Sequence, residues 1–330
     1  LLLSAPQDIC NNDARMAESE TLSAAVTGSH SPEPGARPKV AYVMGPGRSG
    51  STILGITLGN CDGIFYAGEL DKWLRRSGDP PLGGEQRERF WRTVREDVDV
   101  SSELTGKIAR CLEQSSAAFH LGTWRTQRRL RRPYREFAQE LYGAVARAAS
   151  ATHIVDTSHF PRRAHELQKL DGIDLYLLLI VRDPQSVVAS WDREDVIEPR
   201  FTMLQTNAYM WITYLISLSV FLRHPRSRRM LVRHETFVAD PQGTLRDIFE
   251  CIESSAELPD FDELKTGVPF QGNRVARSDV VSLNGSTARP KRISRVTTLL
   301  QLPWRIVFSL LRPAAGGSAA RRSRAPSGVA

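Results

Sequence analysis

"VMGPGRSGST", residues 43–52, decides the fold. It sets out Gly45, four residues, Gly50, then Ser51 and Thr52, which is the outline of a phosphate-binding loop. The apolar run 40–44 leads into it and reads as a short buried strand. "STILGITLGN" (51–60) follows and reads as a helix, with Ile53, Leu54 and Leu58 as its apolar contacts. A strand, a glycine loop and a helix together aim backbone N–H groups and a helix dipole at an anion. The nucleotide-hydrolase form of this loop has a Lys directly after the second Gly. Here Ser51 takes that place, and the nearest cation is Arg48, inside the loop.

Working outward, the alternation continues. "GIFYAGEL" (63–70) reads as a second strand. Residues 71–150 read as mainly helical and Arg-rich, broken at "SGDPPLGG" (77–84). "THIVDTS" (152–158) reads as a third strand and the almost wholly apolar "LYLLLIVRD" (175–183) as a fourth, central and covered on both faces. Pro184 can open the next helix. "RRMLVRHETFV" (228–238) contains a fifth strand, and Asp240 before Pro241 is a plausible cap for the helix after it. Strands alternating with helices predict an α/β fold: a P-loop-containing three-layer architecture with a central parallel β-sheet flanked by helices. One domain is expected over 39–312, with 71–150 as a helical insertion on the acceptor side. The Ser-, Ala-, Pro- and Gly-rich residues 1–38 read as a disordered leader, and 313–330 as a disordered basic tail.

The chain has 330 residues and a net charge of +7, which favours anionic partners. Nucleic acid is not expected, because the basic runs 125–135 and 321–324 are short and no recognition motif accompanies them. Cys10, Cys61, Cys111 and Cys251 are scattered without a C-x-x-C, which points to a reducing compartment and away from a disulfide framework. His153, His159 and His165 recur every six residues, a spacing that fits no zinc pattern, so no metal is expected. The longest apolar run, "MWITYLISLSVFL" (210–222), is too short to cross a bilayer and reads as a buried helix. "LLLSAPQDIC" at the start lacks the basic flank of a secretory signal. A cytoplasmic protein without a membrane span is expected.

The loop favours one chemistry over another. Gly45, Gly47 and Gly50 let the backbone approach a ligand, Arg48 can fork onto oxygen atoms, and Ser51 and Thr52 add hydroxyl donors. A kinase would also hold Mg²⁺ with a loop hydroxyl and an acid at another strand end. Asp183 is available for that, but Arg182 stands beside it and the loop Lys is missing. Transfer of a less charged group, such as sulfuryl, without a metal fits better.

"GPGRSGSTIL" resembles the 5′-phosphosulfate loop of the sulfotransferases that use 3′-phosphoadenosine 5′-phosphosulfate (PAPS). "VRDPQSVVASW" (181–191) resembles the 3′-phosphate motif of the same family, with Arg182, Asp183, Pro184 and then Ser190. "GEL" (68–70), "FW" (90–91), "VDTSHFP" (155–161), "VRHETFVADP" (232–241) and "QGNR" (271–274) look like further family stretches in the family's order. The likeness is to bacterial-type enzymes, similar to the carbohydrate and tyrosylprotein sulfotransferases. It implies that Gly47, Arg48, Ser49, Gly50, Ser51, Thr52, Arg182, Ser190 and Arg274 bind PAPS and its product PAP, with Asn273 and Arg193 as further contacts. Independently, Arg182 leaves a strand on the carboxyl side of the sheet, where α/β proteins bind ligands. A guanidinium and a hydroxyl converging there suit a phosphate.

Transfer to a hydroxyl needs a base. The resemblance places Glu69 in that role, with His159 and Asp156 as rivals, and Arg48 as the stabiliser of leaving-group charge. His159 sits where similar bacterial sequences have a Lys. A protonated imidazole, or Arg162 or Arg163, would then supply the missing cation. The expected acceptor is a hydroxyl-bearing small molecule, glycan or lipid; the Arg content of 71–150 with Trp73, Trp91 and Trp124 would suit a carbohydrate. Two alternatives stay open: a degenerate P-loop phosphotransferase using ATP, and a nucleotide-binding module without catalysis.

Overall fold

The computed structural model describes residues 36–81, 83–105, 112–113, 124–191, 203–283, 299 and 301–310. The expected tail lies outside the described residues, as does the leader up to residue 35. Five parallel strands carry the architecture: β1 (Lys39–Met44), β2 (Ile64–Gly68), β3 (His153–His159), β4 (Asp174–Val181) and β5 (Arg229–Arg233). Their order across the sheet is β2-β3-β1-β4-β5.

Successive side chains on a strand point to opposite faces, and here both faces are buried. Val40, Tyr42 and Met44 of β1 join Leu175, Leu177 and Leu179 of β4 in one core. Ala41 and Val43 join Tyr176, Leu178 and Ile180 in the other. This explains the unbroken apolar runs, since a strand covered on two sides has no polar face to show. The first core is closed by α4 (Trp124–Ala149) through Tyr134, Phe137, Leu141 and Val145. The second is closed by α1 (Ser51–Gly59) through Leu54, Ile56 and Leu58, and by α9 (Pro241–Ile252) through Leu245, Ile248 and Ile252. Asp240 caps α9 by accepting a hydrogen bond from the N–H of Gly243 at 2.9 Å. The three-layer α/β fold expected from the sequence is the one observed.

The insertion between β2 and β3 also contains α2 (Trp73–Arg76) and α3 (Glu85–Glu96). Beyond β3 come α5 (Pro161–Leu167), α6 (Pro184–Trp191), α7 (Met203–Arg223) and α8 (His234–Ala239). A two-stranded antiparallel ribbon, β6 (Leu264–Lys265) with β7 (Val280–Val281), and the amphipathic α10 (Leu302–Leu310) complete the described chain. The apolar stretch 210–222 lies within α7, as a helix.

Register aligns the carboxyl ends of the strands. Met44 pairs with His159 on one side and Leu179 on the other, and Val181 pairs with Arg233. The residues that follow β1, β2, β4 and β5 therefore emerge along one edge. Chain order reverses direction about β1, which makes this edge the switch point where such sheets bind ligands.

Candidate functional site

The loop between β1 and α1 turns on residues with positive φ: Gly45, Arg48 and Gly50. Gly50 is the N-cap of α1 at φ 97°, and no side chain caps the helix. A Cβ at Gly50 would lie 2.3 Å from Nδ1 of His234, the first residue of α8. Only glycine fits this conformation and this gap. The first-turn N–H groups of α1 are thereby left to an anion.

Arg48 spans the site. Its Nη1 donates to Oδ1 of Asn273 at 3.2 Å, and Asn273 Nδ2 donates to Thr52 Oγ1 at 3.2 Å. The guanidinium lies 5.2 Å from the ring centre of Trp191. Arg182, one residue past β4, donates to the carbonyl of Arg48 at 3.3 Å. Ser190 precedes Trp191 at the end of α6. The structure thus gathers residues from the loop, the β4–α6 corner and the 271–274 loop. Asp183 stands just before α6 and accepts from the N–H of Ser186 at 3.0 Å. Arg274 begins a 3₁₀ turn, Arg274–Arg277, and its side chain lies outside the described residues. Arg193 lies outside them too.

Two buried polar atoms on this edge lack a partner among the described residues, Ser49 Oγ and His234 Nδ1. A buried polar atom left unsatisfied is costly. Here both flank an uncapped helix N-terminus and a guanidinium, so an oxygen-rich anion fits the donor set.

Glu69 follows β2 directly. Gly68, at φ 80°, lets the backbone pass 271–273 closely, because a Cβ there would lie 2.3 Å from the carbonyl of Gln271. The N–H of Glu69 donates to that same carbonyl at 2.7 Å. Its carboxylate is buried and ion-paired to Lys72. His159 closes β3 at φ 55°, stacked on Phe160 with ring centres 4.2 Å apart.

The electrostatics bear on one sequence expectation. Burial pushes the His159 imidazole down to about 4, with Glu69 opposing and Lys72 assisting. That shift favours the neutral ring, which disfavours a protonated imidazole as the cation expected here. Arg163 is fully buried, donating to Tyr134 Oη at 2.7 Å and Tyr142 Oη at 3.2 Å, and pairing with Asp156 and Glu113 at 3.4 Å each. Arg162 donates to Gln127. Among the described residues, Lys72 is ion-paired to Glu69.

Asp156 is engaged in a buried hydrogen-bond chain. It accepts from Tyr142 Oη at 2.5 Å and from the Ser158 N–H at 2.8 Å, and from the Ser158 hydroxyl. Ser158 Oγ in turn accepts from the N–H of Asp71 at 3.0 Å. This chain pins the turn bearing Glu69 and Lys72 to β3. Burial pushes the Asp71 carboxyl up to about 7, against the pull of Lys72.

Trp73 and Trp91 are fully buried and pack on each other and on Phe270, with centroids 5.1–5.8 Å apart. They build the core of the insertion and line no acceptor cleft; the Trp124 side chain lies outside the described residues. Sequence reasoning gave His234 no role, although it stood inside a quoted stretch. The signal was its place one residue after a strand end, where Arg182 also stands. Among the described residues, no three His, Cys, Asp or Glu side chains cluster as a metal site.

Residues 41–257 match the family profile described as the sulfotransferase family. No curated protein matches in sequence. Among solved structures, the sulfotransferase domain of the curacin biosynthetic pathway is 17% identical, with a TM-score of 0.48 over 82% of this chain and 99% of that one. The sulfotransferase domain of the Synechococcus olefin synthase gives 17% identity and 0.45 over 84% and 98%. A sulfotransferase from Mycobacterium tuberculosis gives 15% and 0.42 over 73% and 72%.

Proposed function

With more than half its length matched, the chain belongs to the sulfotransferase family, and from that premise we propose that it moves a sulfuryl group from PAPS to a hydroxyl acceptor. The observation that carries the proposal is the clasp of Arg48, Asn273 and Thr52 around an uncapped helix N-terminus. PAPS, when bound, supplies the sulfuryl group and leaves as PAP.

The chain's own residues divide the work. Loop N–H groups from 47 to 52, with the hydroxyls of Ser49, Ser51 and Thr52, hold the 5′ side of the donor. Arg182 and Ser190 hold the 3′-phosphate, with Arg274 and Asn273 closing over it. Glu69 takes the proton of the attacking hydroxyl. Arg48 balances charge that grows on the leaving oxygen, the kind of fixed electrostatic help that dominates many transfers. Lys72 stands where a cation is needed beside the reacting centre. It is ion-paired to Glu69 and would offer its ammonium to the sulfuryl oxygens once Glu69 has taken the proton. His159, neutral, packs the floor of the site. No metal enters this scheme.

The acceptor is a hydroxyl compound, bound over the 71–150 segment. Burial of Trp73 and Trp91 takes away their part in the argument for a carbohydrate. The test is turnover: PAPS with a panel of hydroxyl acceptors in EDTA, followed by PAP release. Metal-independent, acceptor-dependent release supports the proposal. No release with any acceptor class, at full occupancy by PAPS, counts against it.

A further inference from the structure

Glu69 stands at the N-cap position of the 3₁₀ turn Leu70–Lys72, yet its side chain makes no capping hydrogen bond. The N–H groups of a first helical turn have no partner inside it and need one from elsewhere. The usual acceptor is a side-chain oxygen of the N-cap residue itself. Here the acceptor comes from β3, 87 positions away: Ser158 Oγ takes the N–H of Asp71 at 3.0 Å. The Glu69 carboxylate is left to its ion pair with Lys72. The N–H of Glu69 is held in turn by the carbonyl of Gln271 at 2.7 Å. Two bonds to distant segments therefore fix the backbone on either side of Leu70.

Ser158 is itself held firmly. Its N–H donates to Asp156 Oδ1 at 2.8 Å, and its hydroxyl donates to the same oxygen. Asp156 Oδ2 accepts from Tyr142 Oη at 2.5 Å and lies 3.4 Å from Arg163 Nε. With its one proton given to Asp156, the Ser158 hydroxyl can only accept from Asp71. Asp71, Tyr142, Asp156, Ser158 and Arg163 are all fully buried. Water does not replace a bond lost in such a place, and an unmet N–H there is costly.

We propose that Ser158 is the positioning residue for the Glu69 carboxylate: it caps the turn from outside, frees Glu69 from capping and holds it beside Lys72. The inference rests on the transferase reading, in which Glu69 takes the proton of the acceptor. Without the Ser158 hydroxyl, the buried Asp71 N–H would need another oxygen, and the N-cap side chain is the one the turn offers. The carboxylate would then swing from the acceptor toward the backbone. A misplacement of about 1 Å near a reacting centre can cost about 10²-fold in rate.

The test compares PAPS turnover, PAP calorimetry and thermal melting of the full chain with those of three variants. Ser158→Ala should lower kcat about 10- to 100-fold, with the KM for PAPS and the PAP affinity within about twofold of wild type. If that variant does not fold, Ser158→Cys keeps the shape with a weaker acceptor and should give a smaller loss of kcat in the same direction. Tyr134→Phe removes the 2.7 Å bond from Arg163, in the same buried cluster but off the path to Asp71. It should lower the melting temperature as Ser158→Ala does and leave kcat within about twofold of wild type. No turnover by the wild-type chain with any acceptor class overturns the transferase reading and this inference with it. Wild-type turnover with kcat unchanged in the Ser158 variants overturns this inference alone. So does a fall in kcat that Tyr134→Phe matches at equal melting temperature.

Discussion

Arg48 Nη1 donates to Asn273 Oδ1 at 3.2 Å across 225 positions of sequence. This bond fastens the first loop of the fold to one of its last, above the uncapped N-terminus of α1. The pair brings a segment from late in the chain against the loop that follows β1.

Removing the base should stop chemistry and spare binding. Glu69→Gln keeps the size of the side chain but cannot take a proton. The rate constant kcat should fall about 10²–10⁴-fold, with PAP affinity unchanged in calorimetry. Retained turnover would remove Glu69 from the base role.

Lys72 is separable from a purely structural role by kinetics. Lys72→Met deletes the ion pair and should lower kcat while leaving PAP affinity and melting temperature nearly unchanged. Lys72→Arg should recover part of the lost rate. A loss of melting temperature that accounts for the fall in activity would leave Lys72 as a structural residue only.

Arg182→Ala should weaken PAP about tenfold to a hundredfold, the worth of one charged hydrogen bond, with little change in melting temperature. Equal affinity in the variant would take Arg182 out of the binding site.

Gly50→Ala places a Cβ 2.3 Å from His234 Nδ1 at a backbone φ of 97°. It should cost about 1–3 kcal/mol of stability, read as a lower melting temperature, and His234→Ala should recover part of the loss. Full stability of Gly50→Ala would show that the loop is not built as described.

Burial holds His159 and His234 near 4, with Arg182 also disfavouring charge on His234. Both rings should stay neutral through pH 5–8 in an NMR titration. The unfolded chain takes up these protons below its ordinary value of 6.5, so the stability they contribute is complete above that pH and lost as pH falls toward 4. Asp71 works oppositely: its raised value of about 7 means stability falls as pH rises from 3.8 toward 7. Midpoints near 6.5 for the two rings would contradict the desolvated setting assigned to both imidazoles.

The parts of the fold that were legible in sequence are those set by short-range pattern. Seven apolar residues in a row from Leu175 announce a strand buried on both faces, and the glycines at 45, 47 and 50 announce the loop. The order in which strands lie was not legible, because it depends on which helix covers which face. The positions of Glu69 and Arg182 just past strand ends, and of Arg48 within the loop, were readable from sequence; their roles belong to the proposal. The lowered proton affinity of His159 was not readable, since it follows from packing. The chain from Asp71 through Ser158 to Asp156 was hidden for the same reason, its first link joining residues 87 apart. Trp73 and Trp91 invited a surface role because aromatic residues serve clefts and cores alike; their mutual packing with Phe270 decides for the core.

The central claim is that this edge of the sheet is a cradle for a phosphosulfate donor. Calorimetric titration of the full chain with PAP, and with ATP in the presence and absence of Mg²⁺, tests it most directly. Tight PAP binding that ignores Mg²⁺, with ATP far weaker, is the expected result. Tighter binding of ATP that depends on Mg²⁺ would contradict it and make the loop that of a phosphotransferase.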